Sequence, residues 1–167
     1  MKLEIAIEAD EEWDSSCSWE ELARSAAEAA IAESAYPDLA TVRPVEISVR
    51  LTSDSQVQAL NAEWRGKDKP TNVLSFPMAE PYELQAETFI AREMLLGDII
   101  LAHGVCASEA RDKGISLENH AVHLMVHGTL HLLGHDHHND DEAADMEARE
   151  IRALERLGIA NPYEVTA

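Results

Sequence analysis

The histidines are the residues of this chain whose type and spacing indicate chemistry. Seven of the eight lie between positions 120 and 138. His127 and His131 are four positions apart, and on a helix this spacing places two imidazoles on the same face. Gly134 follows and can adopt the left-handed conformation that ends a helix. The chain can then turn back and present a third imidazole, which we expect from His137.

These histidines predict a zinc site. Three histidine nitrogens with one coordination position left open are a ligand set of catalytic zinc. Without a metal, three converging neutral histidines would leave buried nitrogens unpaired, at a cost of ~1–3 kcal/mol each. The spacing of His127, His131 and His137 also matches the zinc pattern H-E-x-x-H-x-x-G-x-x-H, including its glycine. We therefore predict one zinc per chain on these residues, with His138 as the alternative third ligand and Asp136 as a carboxylate that orients a ligand ring.

Gly128 departs from that pattern in a way that bears on the reaction. The pattern has a glutamate at this position, which acts as the general base of a metalloprotease. Glycine has no carboxylate to take a proton from water, so peptide hydrolysis by this route is disfavoured. We instead expect Gly128 to leave open space beside the metal, where a bulky anionic substrate would fit.

His123, one turn before His127, fits two interpretations: a proton shuttle or a hydrogen-bonded core residue.

A cationic segment, residues 65–69, forms a second feature. It contains Arg65, Lys67 and Lys69, three of the chain's 13 lysines and arginines. Arg65 is permanently charged, and its planar donors match the geometry of phosphate. The net charge of −19 opposes a general nucleic-acid surface, because such proteins usually carry a basic footprint. The cationic segment would be a local exception on an acidic protein.

Length and composition favour one domain over residues 1–167. The two cysteines have no CxxC spacing, which is typical of a reducing compartment without a disulfide framework. No apolar run approaches the ~18 residues that a membrane span needs. We therefore expect a cytoplasmic protein with no membrane association.

Periodicity and capping signals predict the elements that must position these residues. The helix that bears the histidines is apolar almost all round, so we expect it to be buried at the centre of the domain. Residues 78–94 lack strong periodicity and are expected to form an exposed acidic excursion. The predicted strands cover 3–8, 45–51, 73–77 and 95–101, and the predicted helices run from 19 to about 34, from 54 through 64, from 103 to 114, from 116 to 133 and from 139 to 158.

The stretch HGTLHLLGHDH at 127–137 resembles the signature of the YbeY family, metal-dependent bacterial endoribonucleases formerly regarded as metalloproteases. Two further blocks agree with that family and occur in its order, so the resemblance spans most of the chain. Asn72 stands where the family usually has aspartate, and His135 where it often has tyrosine. The supporting blocks are Leu60-Asn61 through Trp64-Arg65 with the run 69–77, and Leu96-Gly97-Asp98-Ile99.

The resemblance implies a fold and a function. The fold would be α+β and zincin-like, with a small, mostly parallel mixed sheet of about four strands packed with helices. His127, His131 and His137 would bind zinc, and Arg65 and His127 would be catalytic. The reaction would be single-strand-specific RNA cleavage in maturation of the 3′ end of 16S rRNA and in late ribosome quality control. The implied partners are single-stranded RNA, 16S rRNA, the small ribosomal subunit and a ribosome-assembly GTPase of the Era type.

Two alternatives stay open. The first is a metal-dependent hydrolase of another class, a protease or an esterase, against which Gly128 weighs. The second is a ribosome-associated factor whose zinc is structural. Closed structural zinc sites use four protein ligands, so a site with three histidines weighs against this second alternative.

Overall fold

The secondary structure agrees closely with the sequence prediction. The structure is a computed structural model that describes residues 2–13, 16–85 and 93–164. The elements within these ranges are β1 (Leu3–Ala9), α1 (Trp19–Ala32), α2 (Leu39–Val42), β2 (Val45–Thr52), α3 (Asp54–Arg65), β3 (Val73–Pro77), α4 (Pro81–Leu84), β4 (Met94–Ala102), α5 (His103–Lys113), α6 (Leu117–Leu132) and α7 (Asp140–Arg156).

Polar caps define where four of these helices begin. The side chains of Ser18, Ser53, Ser116 and Asn139 each accept a hydrogen bond from the backbone N–H three residues later. These bonds satisfy amide groups that have no partner within the helix. The predicted starts of α1, α3, α6 and α7 are therefore confirmed.

The four strands form one mixed sheet in the order β1-β2-β4-β3. β1 pairs with β2 and β2 with β4 in parallel, whereas β3 pairs with β4 in antiparallel orientation. The α+β class and the four-stranded, mostly parallel mixed sheet are thus confirmed. β3 lies at the edge of this sheet.

Helix α6 is the centre of the packing, as its apolar sequence predicted. It contacts α1, α5, α7, β3 and β4. Gly97 of β4, at φ 150°, makes close approach of α6 to the sheet possible: a Cβ there would lie 2.6 Å from Leu132 Cδ2 and 2.4 Å from the carbonyl oxygen of Phe76. Gly128 packs against Ile99, so α6 runs antiparallel to β4.

Helix α3 packs on the other face of the sheet. Ile99 belongs to the main core with α6, whereas Ile100 joins Val57 of α3 and Leu74 in a smaller cluster. Because successive strand residues point to opposite faces, α3 and α6 lie on opposite sides of the sheet. The cationic segment therefore follows an element that is separated from the histidines by the sheet.

The predicted acidic excursion at 78–94 is only partly exposed. Pro81–Leu84 forms the short helix α4, and Leu84 is 6% exposed and belongs to the main core. Residues 86–92 of the excursion lie outside the described residues. Elsewhere Cys106 is buried and carries a free thiol. Within the described ranges, no helix combines the length and the apolar composition that crossing a bilayer requires.

Candidate metal centre

A glycine turn at the end of α6 returns the chain toward the helix. Gly134 has φ 90°, a conformation that L side chains rarely adopt. Its N–H donates to the carbonyl of His131 at 3.0 Å, and the N–H of His135 donates to the carbonyl of Leu130 at 3.0 Å. These bonds satisfy the last carbonyls of the helix and bring His137 back over the preceding turn. The predicted turn at Gly134 is confirmed.

The turn brings three predicted ligands together. One ring nitrogen each from His127, His131 and His137 lies within 4.8 Å of the other two, so the group could hold a metal ion. The ring centroids are 4.6 Å apart for His127 and His131, and 5.2 Å apart for His131 and His137. His127 and His131 are half-buried and His137 is exposed, which leaves one side of the group open to solvent. We call this set the histidine group.

Glu150 of α7 orients His127. Its Oε1 lies 2.5 Å from His127 Nδ1, and its side chain is only 1% exposed. Burial would raise the pKa of Glu150, but interactions with His123 and His127 outweigh it and hold that pKa at about 2. The anionic carboxylate accepts a hydrogen bond from Nδ1 of His127, which leaves Nε2 as the ring nitrogen that could bind a metal.

Tyr163 holds the second oxygen of Glu150. Its hydroxyl donates to Oε2 at 2.5 Å and lies 3.3 Å from Nε2 of His123. Burial, followed by this bond to Glu150, raises the pKa of Tyr163. The rings of His123 and Tyr163 meet edge to face, with centroids 5.5 Å apart. His123 is buried in this network, which favours its interpretation as a hydrogen-bonded core residue.

The donor set fits a zinc ion. Burial lowers the pKa of His131 to about 4, and the charge of His127 acts in the same direction. His131 is therefore neutral near pH 7, as a metal ligand must be. Glu150 selects the Nε2 lone pair of His127, and among the described residues no fourth ligand joins the group. Three imidazole nitrogens with an open position are a ligand set that suits a catalytic zinc.

A second polar network lies beside the group. Glu109 of α5 accepts a hydrogen bond from His120 Nε2 at 2.8 Å and from Asn72 Nδ2 at 3.1 Å. The side-chain oxygen of Asn72 accepts the N–H of Val73 at 2.7 Å. Burial lowers the pKa of His120, against the opposing effect of Glu109. Asn72 thus links the start of β3 to α5 and fixes the position of Glu109.

The expectation of open space at Gly128 is wrong. A Cβ at this position would lie 3.0 Å from Cγ2 of Ile99, and Gly128 is buried. Since α6 turns this position toward β4 and away from the histidine group, the glycine allows close packing of helix on strand. Gly128 still lacks the carboxylate of the protease pattern, but its position offers no room for a substrate.

Asp136 binds within the turn, and among the described hydrogen bonds none joins its side chain to a ring of the histidine group. Its Oδ1 accepts the backbone N–H of His137 at 2.7 Å, and its Oδ2 lies 2.7 Å from His138 Nε2. His138 is 78% exposed and does not belong to the histidine group. His137 is therefore the third member of the group, as predicted, and His138 is not.

Arg65 lies in the last turn of α3, exposed to solvent. The loop that follows is held by Asn61, which accepts the N–H of Lys67 through its carbonyl and donates through Nδ2 to the carbonyl of Lys69 at 2.9 Å. None of the described hydrogen bonds or ion pairs joins Arg65 to the histidine group. Its catalytic role, like that of His127, stays a prediction.

Glu150 and Tyr163 are site residues that sequence reasoning missed. Glu150 had a recognisable signal, because it shares the buried face of α7 with Met146, Ala153 and Leu154. A carboxylate among apolar residues at helical spacing requires a buried partner. Tyr163 follows α7 in a turn and had no local signal.

Comparisons with known proteins agree with this geometry. A family model described as "Endoribonuclease YbeY" matches residues 5–158. A protein named Endoribonuclease YbeY from Erythrobacter litoralis is 54% identical over 98% of both chains. One of the same name from Rhizorhabdus wittichii is 49% identical over 98% of both chains, and one from Zymomonas mobilis is 51% identical over 95% of this chain and 93% of its own.

A solved structure supports the fold. The solution structure of TM1509 from Thermotoga maritima covers 96% of this chain and 99% of its own, with a TM-score of 0.54 and 22% identity. At this identity the likeness shows the fold. The family assignment comes from the sequence matches, which span almost the whole chain. The chain therefore belongs to the Endoribonuclease YbeY family, and the predicted family and the prediction of an enzyme are both confirmed.

Proposed function

We propose that this chain is a zinc-dependent endoribonuclease that cuts single-stranded RNA. The observation that carries the proposal is the convergence of His127, His131 and His137 with Glu150 behind the first of them. The relatives are each named as an endoribonuclease, which supports RNA as the substrate. The open coordination position favours a hydrolase over a structural zinc.

The chemistry follows from the donor set. A bound zinc ion would act as a Lewis acid and would activate a water molecule. Glu150 keeps His127 in the tautomer that can bind and fixes the orientation of its ring. Arg65 would bind a phosphate of the RNA backbone through charge-assisted hydrogen bonds, because its guanidinium matches phosphate geometry.

The biological role that we propose is maturation of the 3′ end of 16S rRNA and late ribosome quality control in the cytoplasm. Arg65, Lys67 and Lys69 support it, since they concentrate positive charge on a chain of net charge −19. Their loop is anchored by Asn61, which is 2% exposed. The partners would be 16S rRNA within the small ribosomal subunit and an assembly GTPase of the Era type.

The test compares zinc-loaded and metal-stripped protein on unstructured RNA. We expect cleavage only with metal. His131→Ala should lose zinc. Arg65→Ala should keep zinc but lose cleavage. Arg111→Ala is the matched control, because Arg111 is also an exposed arginine in the last turn of a helix. Zinc-loaded protein that leaves RNA intact but hydrolyses a peptide or an ester would overturn the proposal.

A further inference from the structure

A small cavity adjoins the histidine group. Its volume is about 160 Å³, and His127 is the one member of the histidine group in its lining. The network of Asn72, Glu109 and His120 also lines it. A small ring bound in the cavity would therefore lie next to His127.

The size and the walls of the cavity suit one flat ring. A cavity of ~150 Å³ holds a benzene molecule, so this one admits a single six-membered ring and is too small to enclose a purine. Val73 and Leu124 form apolar parts of its wall, and His123 and Tyr163 supply aromatic rings. Unstacked RNA bases characteristically stack on such aromatic side chains.

The polar groups of the cavity select among bases. Glu109 retains lone pairs for a ligand, because a carboxylate has about four acceptor sites and the side chain is 37% exposed. His120 and Asn72 hold it in place, so it is organised before a ligand arrives. Lys113, one turn further along α5, adds an ammonium donor to the lining.

A carboxylate accepts from the N4 amino group of cytosine. Uracil has a carbonyl oxygen at the same position. This oxygen and the carboxylate are both acceptors, so they would repel each other and form no hydrogen bond. An ammonium group such as that of Lys113 can donate to the O2 or N3 acceptor of cytosine.

We propose that this cavity binds a cytosine base of single-stranded RNA, beside the phosphate held at the histidine group. The inference deepens the proposed function and rests on it for the identity of the polymer. It assigns Glu109 as the residue that distinguishes cytosine from uracil. Asn72 and His120 are positioning residues for Glu109.

Binding of cytidine and uridine monophosphates to the full-length zinc-loaded protein tests the proposal. Both probes carry the same sugar and phosphate, so any difference in affinity reports the base. We expect cytidine monophosphate to bind about tenfold more tightly than uridine monophosphate. Glu109→Gln should bring the ratio close to one, while Asp112→Asn, which removes a charge from an exposed position of the same helix, should leave it unchanged.

Equal affinity of the native protein for the two nucleotides overturns the proposal, and so does an unchanged ratio in Glu109→Gln. If that variant does not fold, the ratio measured on the native protein decides. Nuclear magnetic resonance adds a check of location, because cytidine monophosphate should shift the ring signals of His123 and Tyr163. Unshifted signals despite selective binding would place the base elsewhere and also overturn the proposal.

Cleavage of polycytidylate and polyuridylate separates the two proposals. Faster cleavage of polycytidylate supports both. Equal cleavage overturns the base pocket and leaves the ribonuclease standing. Selective binding of cytidine monophosphate by a protein that cuts neither polymer supports the pocket and overturns the proposed ribonuclease.

Discussion

Glu150 Oε1 lies 2.5 Å from Nδ1 of His127 and joins two helices that are consecutive in the chain, α6 and α7. The carboxylate is almost completely buried, and its pKa of about 2 keeps it charged. A buried anion without a partner would cost several kcal/mol, so this pair constrains α7 as well as the ring of His127. The histidine group therefore depends on a residue outside the histidine motif.

The first prediction concerns Glu150→Gln. The amide has lost one acceptor oxygen and the negative charge that stabilises the Nδ1 proton of His127. We expect zinc affinity to fall by about 10–100-fold, measured by competition with a fluorescent chelator. Glu155→Gln, an exposed change on the same helix, is the control. Equal zinc affinities of Glu150→Gln and the native protein would show that Glu150 does not orient the ligand.

The second prediction concerns Tyr163→Phe. The ring remains against His123, but Glu150 Oε2 loses its hydroxyl donor. We expect the free energy of unfolding to fall by about 1–3 kcal/mol, measured by urea denaturation of the metal-free protein. Zinc affinity should fall less than in Glu150→Gln, because Oε1 still accepts from His127. A loss of zinc affinity equal to that of Glu150→Gln would contradict this order.

The third prediction contrasts two glycines at the contact between α6 and β4: Gly97 faces Leu132, and Gly128 faces Ile99. An added methyl at Gly97 would meet a backbone carbonyl at 2.4 Å and require φ 150°. We expect Gly97→Ala to destabilise the protein by about 2–5 kcal/mol. At Gly128 the neighbour is the side chain of Ile99 at 3.0 Å, and alanine gains about 1 kcal/mol of helix propensity.

Thermal denaturation of both variants measures this contrast. We expect Gly128→Ala to change the free energy of unfolding by less than about 1 kcal/mol, since crowding of Ile99 and helix propensity oppose each other. A larger loss in Gly128→Ala than in Gly97→Ala would contradict the packing described for α6 on β4.

The fourth prediction concerns pH. Glu33, at the end of α1, contacts Arg156 at 2.6 Å and Arg152 at 2.9 Å on α7. The hydrogen bond from Arg156 lowers the pKa of Glu33 most, burial opposes it, and the bond from Arg152 lowers it further. Because the folded-state pKa lies below the ordinary value of 4.5, the contribution to stability is complete above that pH. It is lost as the pH falls through the folded-state pKa.

We therefore expect Glu33→Gln to cost about 1 kcal/mol at pH 7 and progressively less below pH 4.5. Urea denaturation at a series of pH values measures the difference between variant and native protein. Glu63→Gln, at an exposed position of α3, is the matched control. If the destabilisation caused by Glu33→Gln increased as the pH fell, the predicted direction of the pH dependence would be contradicted.

Local sequence determined the histidine group. His127, His131, Gly134 and His137 act within eleven consecutive positions, and helical periodicity with one left-handed turn is enough to bring three rings together. The starts of four helices were equally local, because each cap binds an amide only three residues away. Such contacts can be predicted because their geometry depends on few backbone angles.

Tertiary structure decided what surrounds the ligands. Glu150, Glu109 and Tyr163 reach the site from elements whose relative placement depends on packing against α6. The direction of Gly128 was misjudged for the same reason: the motif gives its spacing from His127, whereas the position of β4 determines that it faces Ile99. Spacing specifies angles around one helix axis, but only the packed core specifies which element lies at each angle.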